Sequence, residues 1–218
     1  MKKVISIICV FTMLTFSLIS CGKQSTDVNP SNTLDNNNVV EVTNTNENDS
    51  INYTISKEAD YVACLPEDLF EIADVVVKGT FGKTINTYVC DNSLPVTQIV
   101  FNVDDVHKGK IAGAKIIVEY YGGTVSMYSY LDTLTEEQIA KRGLDCSVSE
   151  AAKMTVSYGM TKESVSVNEK DSYMLFLSYD KENDTYFILC DAYGACKMDK
   201  GLIYSLAEEK YVDAEFKS

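Results

Sequence analysis

The sequence predicts a mainly β domain, an antiparallel sheet closed on itself, with one short helix near its start and one helical insertion in its middle. Three observations predict it. Runs rich in β-branched and aromatic residues recur along residues 51–218, several of them alternate apolar with polar side chains at the period of a strand, and clusters of Gly, Asn and Asp separate them. Strands joined in sequence by short turns, with few helices, belong to sheets that close to hide their edges. The length is that of one domain.

Residues 66–72, PEDLFEI, read as the helix: Pro66 stands in the first turn, where its missing N–H costs nothing, and Glu67 and Asp68 meet the positive end of the helix dipole. Residues 73–81, ADVVVKGTF, follow as a β-branched strand in which Gly79 marks a bulge or bend. A turn-rich link at Asp91, Asn92 and Ser93 leads to residues 97–104, where Ile99, Phe101 and Val103 share one face. Lys108, Gly109 and Lys110 break that strand. Residues 115–121, KIIVEYY, form the next, ended by Gly122 and Gly123.

Thr133 and Glu136 read as a capping box that starts a helix closing near Arg142 and Gly143, and residues 124–164 as an insertion between strands. Residues 172–179, SYMLFLSY, and 185–190, TYFILC, with a turn at 180–184, form the plainest hairpin in the chain. A last short pair surrounds Asp199, Lys200 and Gly201, and residues 202–210 fit a terminal strand or helix equally by period.

The order ADVVVKG (residues 73–79), FNVDDVHKG (101–109), KIIVEYYGG (115–123) and YMLFL (173–177) resembles a group of exported bacterial domains similar to the OB-like barrels of the netrin and tissue-inhibitor-of-metalloproteinase type. The resemblance covers four short blocks and implies a single OB-like β-barrel. It implies no reaction, because barrels of this type carry unrelated functions.

Ahead of the domain, Met1, Lys2 and Lys3 make a short cationic start and residues 4–20 are uncharged and mostly apolar, the layout of a secretory signal. Leu18, Ile19, Ser20 and Cys21 resemble the lipobox of bacterial lipoproteins. The resemblance implies cleavage before Cys21, thioether linkage of Cys21 to a diacylglyceryl group, and a protein held by palmitate-like chains on the extracytoplasmic face of the cell membrane. Each buried methylene contributes about 0.8 kcal/mol, so two or more chains hold stably where one does not. Cys9 falls inside the discarded segment. Residues 21–50 then read as a polar tether dominated by Asn, Thr, Ser and Asp, a coil reaching on the order of 30 Å.

The net charge is −13, and losing Lys2 and Lys3 with the signal takes it to −15. That balance works against binding nucleic acid or an anionic membrane surface, since both need a positive face. The mature chain keeps Cys64, Cys90, Cys146, Cys190 and Cys196 beside the anchor. An odd number leaves at least one thiol unpaired, or all of them reduced. Cys190 and Cys196 flank residues 191–195, a tight connection, and make a candidate disulfide across a hairpin. A metal site fails on spacing, since there is no C-x-x-C and the single histidine lies far from any close cysteine pair. No cofactor is expected, and Gly122 and Gly123 open no phosphate-cradling pattern.

His107 is the one imidazole, so a Ser–His or Cys–His hydrolase would have to use it, with Asp104 or Asp105 as orienter. Its place beside Lys108 and Gly109 at a strand end is that of an exposed turn residue. Tyr120, Tyr121, Tyr128 and Tyr130 make an aromatic cluster suited to protein or glycan recognition, beside an insertion of the kind on which function is grafted. The same tyrosines also fit a barrel core. The expectation is a membrane-anchored module that binds a protein or glycan without catalysis. The alternative is a cell-envelope hydrolase using His107. A third, inhibitor-like reading loses its mechanism, because tissue inhibitors act through a free N-terminal cysteine and here Cys21 is acylated and distant.

Overall fold

Two β-sheets and four short α-helices make up the described residues, 38–43, 51–57, 63–158 and 164–216, of the computed structural model. The chain begins with β1 (Asn38–Thr43) and β2 (Ile51–Lys57), then α1 (Pro66–Ile72) and the long strands β3 (Val75–Val89) and β4 (Pro95–Lys108). β5 (Lys115–Tyr121) and β6 (Gly123–Ser126) follow, then α2 (Met127–Leu131), α3 (Glu136–Lys141), α4 (Val148–Ala151) and β7 (Met154–Tyr158). β8 (Ser172–Asp180) and β9 (Thr185–Ile188) lead through a 3₁₀ turn (Asp191–Gly194) to β10 (Ala195–Asp199), β11 (Leu202–Ser205) and β12 (Lys210–Asp213).

The larger sheet has eight strands in the order β12-β11-β10-β8-β3-β4-β5-β9, with β9 also paired to β8. Its pairings are antiparallel except β5 with β9, which run parallel. The purely antiparallel sheet expected from short turns is thus corrected. A parallel pair needs a crossover, and here everything between residues 122 and 184 supplies it.

β8 explains why its sequence reads as an unbroken apolar run. Tyr173, Leu175 and Leu177 enter a core with Val75, Val77, Phe81, Ile99, Phe101 and Val118, while Met174 and Phe176 enter a second core with Leu69, Val76 and Ile203 on the opposite face. A strand buried on both faces loses the polar alternation of a half-exposed one. Each of these side chains contributes about 1.5–3 kcal/mol by leaving water. Gly79 sits where β3 crosses β4: a Cβ there would collide with the Asn102 carbonyl and lie 2.9 Å from the Phe101 ring.

The chain leaves the larger sheet at Gly122 and Gly123, whose φ angles of 141° and 108° are open to glycine but strained for other residues. It enters a second, four-stranded sheet in the order β1-β2-β7-β6, with β2 and β7 parallel. The insertion therefore holds two strands as well as helices, and β1 lies inside the segment that composition assigned to a tether. The rest of that segment and the signal fall outside the described residues.

Met127, Tyr130, Val156 and Ile55 are the heart of a third core under this sheet. The three helices of the insertion are short and start on side-chain caps, Ser126, Thr135 and Ser147, each accepting a backbone N–H three residues on. Such caps contribute about 1 kcal/mol apiece. The capping box belongs to Thr135 with Gln138, two residues later than Thr133 with Glu136. Among the described residues no helix is long and apolar enough to cross a membrane.

Candidate functional site

His107 lies near the end of β4, where its Nε2 is 3.7 Å from the Asp105 carboxylate, a pair that forms when the imidazole is protonated. The Asp105 carboxylate is held by the Val106 backbone N–H at 2.9 Å and is itself two-thirds exposed. Asp104 is exposed on the neighbouring position. The cavity beside His107, of about 310 Å³, is walled by Phe70, Ala214, Glu215 and Phe216. The structure brings His107 to aromatic rings and a carboxylate, with no serine or cysteine among the lining residues.

The four tyrosines are not brought to one surface. Tyr130 is 1% exposed, at the centre of the third core, and its hydroxyl accepts from an Arg142 guanidinium nitrogen. Burial pushes its phenol pKa up against the opposing pull of Arg142. Tyr120 packs against the first core and its phenol is raised by burial as well. Tyr128, on α2, is exposed at 57% and stands apart from the others' packing. The core reading therefore holds for Tyr130 and for most of Tyr120.

Tyr121 is the member that reaches a cavity. Successive residues of a strand face opposite ways, so with Tyr120 turned to the first core Tyr121 turns to the other face, half-buried against the third core. Its ring meets Phe187 edge-on with centroids 4.9 Å apart, and its hydroxyl accepts from Asn92 Nδ2 at 3.3 Å. The cavity they border holds about 260 Å³ and is walled further by Leu94, Tyr158, Cys190 and Asp191. It lies where β5 and β9 of the larger sheet meet β7 of the smaller one. The walls offer aromatic edges and faces and one carboxylate, which suits a flat apolar group carrying a polar substituent.

Phe187 was legible in the sequence as the one apolar side chain of TYFI facing away from Tyr186 and Ile188. Tyr158 and Asp191 were not, because a short strand inside the insertion and a left-handed turn bring them in. Cys190 and Asp191 both have left-handed backbones, φ 51° and 52°.

None of the five described cysteines is joined in a disulfide. The bridge expected between Cys190 and Cys196 is not made. β9 and β10 both run antiparallel to β8 along the same edge, β9 against Leu177 to Asp180 and β10 against Tyr173 to Leu175. They lie end to end, so no hairpin brings the two cysteines face to face. The Cys196 thiol is 2% exposed and donates to the Tyr193 carbonyl at 3.2 Å, and burial pushes it up to about 12. The Cys90 thiol donates to Asn92 Oδ1 at 2.7 Å inside the β3–β4 turn. Burial, then Glu150 and Asp145, raise Cys146.

Cys21 lies outside the described residues. Among those described, no three His, Cys, Asp or Glu side chains come together as a metal-ligand set. No protein-family model matches the chain, no curated protein matches it, and no solved structure matches it.

Proposed function

We propose that this chain is a lipid-anchored protein of the extracytoplasmic face of the cell membrane, and that it binds a protein or glycan group, without catalysis, in the aromatic cavity beside Tyr121. The lipobox-like end of the apolar leader at Cys21 supports the anchor. The surrounding domain is an OB-like barrel. Supporting that reading, β3, β4, β5, β9 and β8 each pair with the next and β8 pairs back with β3, with β5 and β9 parallel.

The observation that carries the binding function is the Tyr121–Phe187 pair at a cavity built between the two sheets, with Asp191 as a polar wall. Aromatic anchors in a largely preformed cavity supply contact area at low entropic cost. An array of envelope glycans and peptides probed with the labelled protein tests it. Binding weakened at least tenfold by Tyr121→Ala and retained by His107→Ala is expected. A bound compound that is converted to product, with conversion lost in His107→Ala, would overturn it in favour of the hydrolase.

A further inference from the structure

Cys190 and Cys64 come from opposite ends of the domain sequence yet share a side-chain hydrogen bond, and both pack against the core that holds Leu69 and Phe176. Cys64 lies just ahead of α1, and Cys190 opens the turn between β9 and the 3₁₀ segment. We propose that these two thiols form a structural disulfide in the exported protein, joining the entry to the domain to the wall of the Tyr121 cavity.

Three further observations support it. The two thiols are already in contact, the first condition for an S–S bond of about 2.05 Å. The left-handed backbone at Cys190 and Asp191 is costly for non-glycine residues and persists where the surroundings over-determine it. Aiming the Cys190 side chain at Cys64 is a reason for that turn which the cavity alone does not supply. Finally, the other three described thiols have local settings of their own: Cys196 bonds Tyr193, Cys90 bonds Asn92 and Leu94, and Cys146 packs under the insertion. One bridge among the five cysteines beyond the anchor leaves these three as thiols.

Burial, then the Cys64 hydrogen bond and charge and the charge of Asp191, push the Cys190 thiol up to about 12. A thiolate-poor cysteine is not a catalytic redox centre, which requires a lowered value. The oxidant is a small-molecule disulfide such as oxidised glutathione. The Cys64 sulfur, losing its proton, attacks one sulfur of that disulfide and releases one thiol. The Cys190 sulfur, losing its proton, then attacks Cys64 in the mixed disulfide and releases the second thiol. Two protein thiols are oxidised, one external disulfide is reduced to two thiols, and no further electron acceptor is required.

The test equilibrates the full mature chain in a buffer of reduced and oxidised glutathione, blocks free thiols with an alkylating reagent and maps the peptides. A linked pair carrying Cys64 and Cys190, with Cys90, Cys146 and Cys196 alkylated, is the expected result. The same pair should form in Cys196→Ser, and oxidation should raise the thermal midpoint of both proteins by roughly 10 °C, because the bridge closes a loop of more than half the chain. That rise should vanish in Cys64→Ser. A Cys190–Cys196 link, any other partner for Cys64, or five alkylated thiols would overturn the proposal, and peptide mapping of the wild-type chain decides it even if a serine variant fails to fold.

Discussion

The Lys108 ammonium donates to the carbonyl of Phe70 at 2.6 Å and of Glu71 at 2.8 Å, and stands 5.4 Å from the centre of the Phe70 ring. Those carbonyls belong to the last turn of α1, where backbone oxygens lack helical partners and the dipole favours a cation. The lysine at the end of β4 thereby ties that strand to the helix. The Lys-Gly pair that ends the strand in the sequence has this structural role.

Lys108→Met should accordingly loosen α1 while leaving the sheets intact. The expected loss is about 1 kcal/mol, a central value for exchanging such bonds for water. Urea unfolding should show a lower midpoint with an unchanged slope; an unaltered midpoint would mean that the carbonyls are as well served by solvent.

Tyr130 and Arg142 should act on the inserted sheet alone. Tyr130→Phe keeps the ring in the third core and removes the hydroxyl acceptor of the half-buried Arg142, at a cost of about 0.5–1.5 kcal/mol. Native-state hydrogen exchange is expected to quicken in β6 and β7 while β3 and β8 keep their protection. Equal quickening in both sheets would show that the two cores unfold as one.

Alkaline pH provides a third check. The Tyr88 hydroxyl donates to Glu119 Oε1 at 3.3 Å, and burial followed by the Glu119 charge pushes its pKa up to about 12. A raised value in the folded state means that the folded protein holds its proton after the unfolded chain, with an ordinary phenol near 10, has released it. The contribution is therefore complete below about pH 10 and falls as pH rises from there towards 12. Thermal midpoints of Tyr88→Phe should decline less steeply than wild type across that window. Parallel declines would contradict the assignment.

How much of this was legible follows from where the physics is local. β5 coincides with the run KIIVEYY that predicts it, because every determinant, from β-branched residues to the closing glycines, lies within nine positions. α1 was legible for the same reason. β3 extends well beyond its apolar stretch through Lys83 to Asn86, which are exposed and carry no period, before Val89 packs against the third core. β1 was masked by its polar neighbours, although its own sequence, NVVEVT, has β propensity. β7 owes its place to a parallel pairing with β2, some hundred residues upstream, and no local signal reports such a partner.

The site divides in the same way. Tyr121 could be found from an aromatic cluster beside an insertion, but strand alternation separates it from Tyr120, and helix packing takes Tyr130 inside. The Cys190–Cys196 pairing failed because closeness in sequence was read as a hairpin, whereas the edge of β8 places β9 and β10 in line.

The central claim is the anchor, and intact-mass analysis of the protein from its native membrane tests it most directly. A mature chain beginning at Cys21 and heavier by a diacylglyceryl group is the predicted result, with Cys21→Ala leaving the chain unprocessed or released from the membrane. An unmodified chain that begins elsewhere would contradict it.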